Sequence, residues 1–191
     1  MKLIENYSLI PFAEPGDKDE VNANKGRRVR IVRAFLGQDL SGTKTLDIGQ
    51  SNAFGRLLGL KDNTLDTDLN VELVAPDKDY DLILFSEIIE HLFNPGERLK
   101  DCYNLLRPGG ALIVSTPILF SKWFFQSPHH VTEYTPKRFK RMLEYYGFKT
   151  VKYRSMLIWD WWPFMFTGVR PFLRVLFHRS QLWYCIKPQA T

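Results

Sequence analysis

Tyr80-Asp81-Leu82-Ile83-Leu84-Phe85-Ser86-Glu87 holds a continuous apolar run, Leu82 to Phe85, that ends in two polar residues. Ala111-Leu112-Ile113-Val114-Ser115 repeats the pattern after Leu105-Leu106-Arg107-Pro108-Gly109-Gly110. Strands without polar alternation need cover on both faces, which is the signature of a parallel sheet between helices. The stretch Pro95 to Leu106 between them predicts a helix, and Arg-Pro-Gly-Gly predicts the turn into the second strand. Working towards the N-terminus, Thr43 to Ile48 predicts a strand running into Gly49, followed by a helix around Asn52 to Leu58 and a strand at Thr64 to Asp68. Towards the C-terminus, a helix from Pro136 to Tyr146 precedes a strand from Phe148 to about Met156, and Leu182 to Ile186 predicts a last strand. This alternation predicts an α/β fold, a doubly wound and mostly parallel sheet.

The 191 residues with 45% apolar content are enough for one full core, which excludes disordered and fibrous classes. The expected organisation is a single domain. It has a leader and an amphipathic helix over 1–40, a ligand-binding core over 41–157, an insertion over 158–180, and a last strand and tail over 181–191. Val29, Val32 and Leu36 share one face of the first helix. The net charge of +5 is too small to name a partner, but ten basic residues stand against two acidic ones between Lys137 and Arg179. Cys102 and Cys185 lie in apolar runs without metal-ligand spacing, so no metal is expected and a reducing, cytoplasmic setting is. Neither a signal peptide nor a membrane-spanning stretch is evident.

Leu46-Asp47-Ile48-Gly49-Gln50-Ser51 forms the first chemical constellation. A glycine at a strand-to-helix turn lets a ligand approach the backbone, next to the unpaired N–H groups that open the helix. A carboxylate at the end of the next strand, Asp68 or Asp66, is placed to accept the hydroxyls of a ribose. The Gly-x-Gly-x-x-Gly of a nicotinamide dinucleotide site is absent here, which argues against a dehydrogenase.

Ser86-Glu87-Ile88-Ile89-Glu90-His91 at the strand end, the Arg107-Pro108-Gly109-Gly110 turn, and His129-His130-Val131-Thr132-Glu133-Tyr134-Thr135-Pro136 before a helix ending Tyr146-Gly147-Phe148 occur in this order. Together they resemble the class I S-adenosylmethionine-dependent methyltransferases with a small Rossmann-like domain, from Thr43 to about Phe148. The resemblance implies S-adenosylmethionine as cofactor and S-adenosylhomocysteine as product. It implies that Asp47, Gly49, Gln50 and Ser51 surround the methionine part, that Asp68 or Asp66 holds the ribose, and that Ser86 and Glu87 line the cleft. The chain departs from the family pattern at Ser51 and Ala53, where the loop usually has glycine. Only 13 positions run from Asp68 to Asp81, which abbreviates the adenine side.

Methyl transfer is an in-line displacement whose rate owes much to alignment, worth roughly 7–11 kcal/mol. A hydroxyl acceptor also needs a base, and His130, His129 and Glu133 follow the 111–115 strand on the ligand-bearing edge. His91 is a further candidate whose alternative is a structural hydrogen bond. The expected acceptor is a small molecule, a glycan or a lipid-linked precursor. Base methylation of nucleic acid is disfavoured, because Ser86-Glu87-Ile88-Ile89 lacks the Asn/Asp-Pro-Pro-aromatic pattern and no Pro-Cys nucleophile occurs, whereas RNA ribose methylation stays open. A catalytically inactive binding or regulatory module of the same fold is the alternative.

The insertion carries Trp159, Trp161 and Trp162, then Val169, Phe172, Leu173, Leu176 and Phe177 at helical spacing beside Arg170, Arg174 and His178. A lid on the domain's own core, peripheral contact with an anionic membrane, cover for a lipid-like substrate, and a homodimer contact are all compatible with it.

Overall fold

Alternating side chains along the central strand divide the molecule into two cores. In the computed structural model, Ile83 and Phe85 join one buried cluster while Leu82 and Leu84 join the other. Residues 23–37, 40, 42–49, 53–64, 67–119, 129–157 and 179–189 are described. Gln50, Ser51, Asp66 and the 158–178 part of the insertion lie outside the described residues.

The chain runs through helix α1 (Ala23–Leu36), strand β1 (Thr45–Asp47), helix α2 (Ala53–Leu58), strand β2 (Asp62–Asn63) and strand β3 (Tyr80–Ser86). A single 3₁₀ turn over Ile89–His91 leads to helix α3 (Pro95–Leu105), strand β4 (Leu106–Pro117), helix α4 (Pro136–Tyr145), strand β5 (Lys149–Leu157) and strand β6 (Arg179–Ile186). The six strands form one sheet in the order β2-β1-β3-β4-β6-β5. β1 to β4 are mutually parallel, and β6 is antiparallel to both neighbours, β4 and β5. Val29 and Val32 of α1 with Phe54 and Leu58 of α2 cover one face, and Leu99 and Cys102 of α3 with Phe139 and Leu143 of α4 cover the other. This is a doubly wound α/β sheet.

Local chemistry explains the boundaries. Pro95 and Pro136 open α3 and α4, where a missing N–H costs nothing, and Thr135 Oγ1 accepts from Arg138 N–H at 3.3 Å to cap α4. The expected strand at Thr64 to Asp68 is corrected: pairing with β1 covers only Asp62 and Asn63. β1 is three residues long and leaves no further rungs, so the ladder ends with Thr64 N–H donating to the Asp47 carbonyl at 3.2 Å. Asp68 then lies in a turn, its Oδ1 accepting from Asn70 N–H at 2.9 Å. The Arg-Pro-Gly-Gly stretch is also corrected, because it lies within β4 as an irregularity between the Tyr80 and Leu82 rungs. A Cβ at Gly110 would stand 2.8 Å from the Tyr80 carbonyl, so only glycine passes there. The last strand begins at Arg179, three residues before the expected start.

Among the described residues no helix is long and apolar enough to cross a membrane.

Candidate functional site

Parallel strands end their ladders on one edge, and loops leaving that edge form a crevice. Asp47 ends β1 there with Gly49 just beyond it, Ser86 ends β3 with Glu87 just beyond it, and Pro117 ends β4. Because β6 runs the other way, its first residues reach the same edge, with Ser180 opposite Pro117. Leu157 and Arg179, on either side of residues 158–178, are paired at this edge as well.

Asp47 is buried in β1, and its carboxylate lies against Gly55 so closely that a Cβ there would overlap it. Gly49 has φ +101°, a conformation L side chains rarely adopt. Its N–H donates to Thr64 Oγ1 at 2.8 Å, and a Cβ would come within 3.2 Å of Ile88 Cδ1. Gly49 therefore stands at this edge of the sheet without a side chain, its N–H held by Thr64.

Glu87 also has a left-handed backbone, φ +53°, which costs a non-glycine residue about 1–3 kcal/mol and persists only where the surroundings enforce it. Its N–H donates to the Ser115 carbonyl at 3.0 Å, and Ser180 Oγ donates to its Oε1 at 2.6 Å. Ser86 Oγ and Ser115 Oγ share a hydrogen bond of 2.9 Å. On the other side of β1, the Asp68 turn is tied across the crevice by Phe93 N–H donating to Asn70 Oδ1 at 2.8 Å.

The 129–133 segment docks on the 3₁₀ turn. Val131 and Thr132 N–H groups both donate to the Glu90 carbonyl, at 2.8 and 3.1 Å. His91 Nδ1 donates to the His129 carbonyl at 2.9 Å, and His130 Nδ1 to Glu133 Oε1 at 2.6 Å. The partners fix the tautomers, since a carbonyl and a carboxylate accept only. The His91 and His130 rings meet edge to face with centroids 5.0 Å apart. Burial pulls the pKa of His91 below the ordinary imidazole value, partly offset by its bond to His129. Burial and the Glu90 carboxylate push Tyr134 up to about 12.

The structure therefore brings Asp47, Gly49, Ser86 and Glu87 to one edge and gathers His130, Glu133 and His91 beside them. His129 contributes its carbonyl to the cluster and keeps an exposed position. Asp68 is in a turn beyond β2 rather than at a strand end. Thr64, Ser115 and Ser180 were not singled out from the sequence, and lone hydroxyl residues give no signal there. Glu90 was legible beside His91, in the same motif as Glu87.

Residues 21–153 match the model of a family described as methyltransferase domain. The chain belongs to the class I S-adenosylmethionine-dependent methyltransferases. Among relatives of this chain, a probable S-adenosylmethionine-dependent methyltransferase from Mycolicibacterium smegmatis is 35% identical over 82 residues, 41% of this chain and 32% of that one. A ubiquinone biosynthesis O-methyltransferase from Parvibaculum lavamentivorans is 46% identical over 44 residues, 23% of this chain and 17% of its own length. The chain thus spans about a third or less of these curated relatives in the matched stretch. The crystal structure of a Thermotoga maritima methyltransferase, titled a possible histamine N-methyltransferase, superposes with a TM-score of 0.60 at 16% identity, covering 85% of this chain and 89% of that one. At that identity the superposition speaks for the fold.

Proposed function

We propose that the protein transfers a methyl group from S-adenosylmethionine to a hydroxyl of a small or lipid-linked acceptor. The observation that carries this reading is the side-chain-free, positive-φ backbone at Gly49 together with the left-handed backbone at Glu87, just past the ends of the adjacent strands β1 and β3. The family match over 21–153 supports it. The choice of oxygen rests on the printed names of relatives such as the Parvibaculum O-methyltransferase.

The residues present fit the cofactor: a positive-φ glycine whose backbone carries no side chain, and carboxylates at the end of β1 and after β3. When bound, S-adenosylmethionine supplies an electrophilic methyl group on a sulfonium, whose sulfur leaves as the neutral thioether of S-adenosylhomocysteine. Asp47, Gly49, Ser86 and Glu87 would hold its methionine and central parts, and Asp68 the ribose. Gln50, Ser51 and Asp66 carry the same assignment from the sequence. His130, held in one tautomer by Glu133, is the group that activates the acceptor hydroxyl, and the His129 carbonyl fixes the neighbouring His91 ring.

Calorimetric titration of the purified chain with S-adenosylmethionine and S-adenosylhomocysteine tests the reading. Micromolar binding of both is expected. A folded sample that binds neither overturns it and favours an inactive binding module.

A further inference from the structure

Thr64, the first residue after β2, reaches back to the turn that follows β1. Its Oγ1 accepts from Gly49 N–H at 2.8 Å and donates to the Gly49 carbonyl at 3.4 Å. Its own N–H donates to the Asp47 carbonyl at 3.2 Å. We propose that Thr64 is a positioning residue for S-adenosylmethionine, its hydroxyl holding the Gly49 turn in the conformation that receives the cofactor. The inference rests on the methyl-transfer reading, which gives that turn to the cofactor, and adds to it a residue that none of the sequence motifs contains.

The need for such a residue comes from the loop itself. Gly49 is the one glycine between β1 and Gly55, because serine and alanine occupy positions 51 and 53. Glycine has more backbone freedom than any other residue, and at φ +101° Gly49 uses a region closed to most L side chains. Something outside the residue has to select that conformation. Ile88 Cδ1, 3.2 Å from where a Cβ would stand, limits the turn by packing but gives its polar groups no direction.

A hydroxyl supplies direction because it accepts and donates at once. Thr64 Oγ1 meets both the N–H and the carbonyl of Gly49, the two groups whose relative direction φ and ψ determine. Thr64 is 7% exposed, so water competes little for these bonds. Threonine is also stiff at χ1, which fixes where its oxygen points once the backbone is set. That backbone is set by the Thr64 N–H bond to Asp47, which continues the β1–β2 ladder.

The same strand pair carries a second bond of this kind. At its opposite end, Thr45 Oγ1 accepts from Lys61 N–H at 2.9 Å. β1 and β2 pair only through Leu46 with Asp62 and Asp47 with Asn63, so the two threonines close a very short ladder at its two ends. Both bonds strengthen the sheet, but only the one from Thr64 holds a residue on the ligand-bearing edge. Thr45 is therefore the internal control for a purely structural role.

The experiment compares Thr64→Val, which keeps the side-chain shape and removes the hydroxyl, with Thr64→Ser and Thr45→Val. Each full-length variant is titrated calorimetrically with S-adenosylmethionine and S-adenosylhomocysteine, well below its melting temperature. Hydrogen exchange at the Gly49 amide is followed by NMR. Thr64→Val should weaken both ligands about tenfold and speed that exchange by a similar factor, since a buried N–H loses its acceptor. Thr64→Ser should restore affinity to within about threefold of the wild type, keeping the oxygen and losing only the χ1 stiffness. Thr45→Val should lower the melting temperature and leave affinity unchanged. Thr64→Ala carries the test if Thr64→Val does not fold.

Equal losses of affinity in Thr45→Val and Thr64→Val would assign the effect to the strand pair as a whole and overturn the proposal. Undiminished affinity in Thr64→Val beside a wild type that binds, or a wild-type Gly49 amide that exchanges as fast as an unprotected loop, overturns it alone. A folded wild type that binds neither ligand overturns the methyl-transfer reading, and the role of Thr64 with it.

Discussion

Ser180 and Glu87 are 93 positions apart in the chain, and Ser180 Oγ donates a 2.6 Å hydrogen bond to Glu87 Oε1. The bond exists because β6 enters the sheet antiparallel to β4, which sets Ser180 opposite Pro117 at the edge where β3 ends. Ser180 Oγ also donates to the Thr116 carbonyl at 3.2 Å, so the hydroxyl is shared between the sheet and the site. The second residue of the last strand therefore sets the orientation of a carboxylate beside the proposed cofactor position.

Ser180→Ala should weaken S-adenosylmethionine binding about tenfold, since a hydrogen bond to a charged group is worth about 1.5–3 kcal/mol. Calorimetry with the cofactor and a melting curve check this together. An unchanged affinity would show that backbone strain at Glu87 is enough to aim its side chain.

Gly49→Ala places a Cβ at φ +101° and 3.2 Å from Ile88 Cδ1. The left-handed backbone alone should cost about 1–3 kcal/mol of stability. Binding of the cofactor should fall as well, because the methyl group narrows the approach to the backbone. Urea unfolding and the same titration measure the two effects; a variant as stable as the wild type would mean the turn relaxes to negative φ.

Asp81 links β3 to two cations' neighbourhoods. Lys44 N–H donates to its Oδ2 at 2.7 Å, and Arg107 Nε bonds its Oδ1. The Lys44 backbone bond, followed by the Arg107 side chain, lowers its pKa below the ordinary carboxylate value. A group whose pKa falls on folding adds stability above its unfolded pKa and loses that contribution as pH drops through the folded value. Asp81→Asn should therefore lower the urea midpoint at pH 7 by an amount worth about 1 kcal/mol or less, given solvent screening. The gap between variant and wild type should shrink as pH falls below about 4. A gap that is constant with pH would assign the effect to lost shape rather than lost charge.

Cys102 in α3 and Cys185 in β6 are both 0% exposed. Burial raises both thiols well above the ordinary value, Cys185 to about 12. Thiol reagents at pH 8 should label neither in the native protein and both in denaturant. Fast labelling of one cysteine under native conditions would show that its element opens on the time scale of the reaction.

Much of the architecture was legible in the chain. The apolar runs Leu82–Phe85 and Ala111–Val114 named the two central strands, and Pro95 and Pro136 marked two helix starts within a residue. Gly49 at a strand end was visible too, because a left-handed turn admits few other residues. These features depend on local sterics and on burial, and both are written in residue type and periodicity.

Pairing and direction depend on which segments meet, and that was decided only by the tertiary structure. β2 shrank to Asp62 and Asn63 because β1 offered no more rungs, whatever the propensity of Thr64 to Asp68. β6 filled the gap between β4 and β5 in the opposite sense, which no property of Leu182 to Ile186 announces. The contacts of Gly49 with Thr64, of Glu87 with Ser180, and of the Glu90–His91 turn with His129 and His130 all follow from that packing. A sequence records which residues can make such bonds, whereas the sheet order determines which of them come within 3 Å of one another.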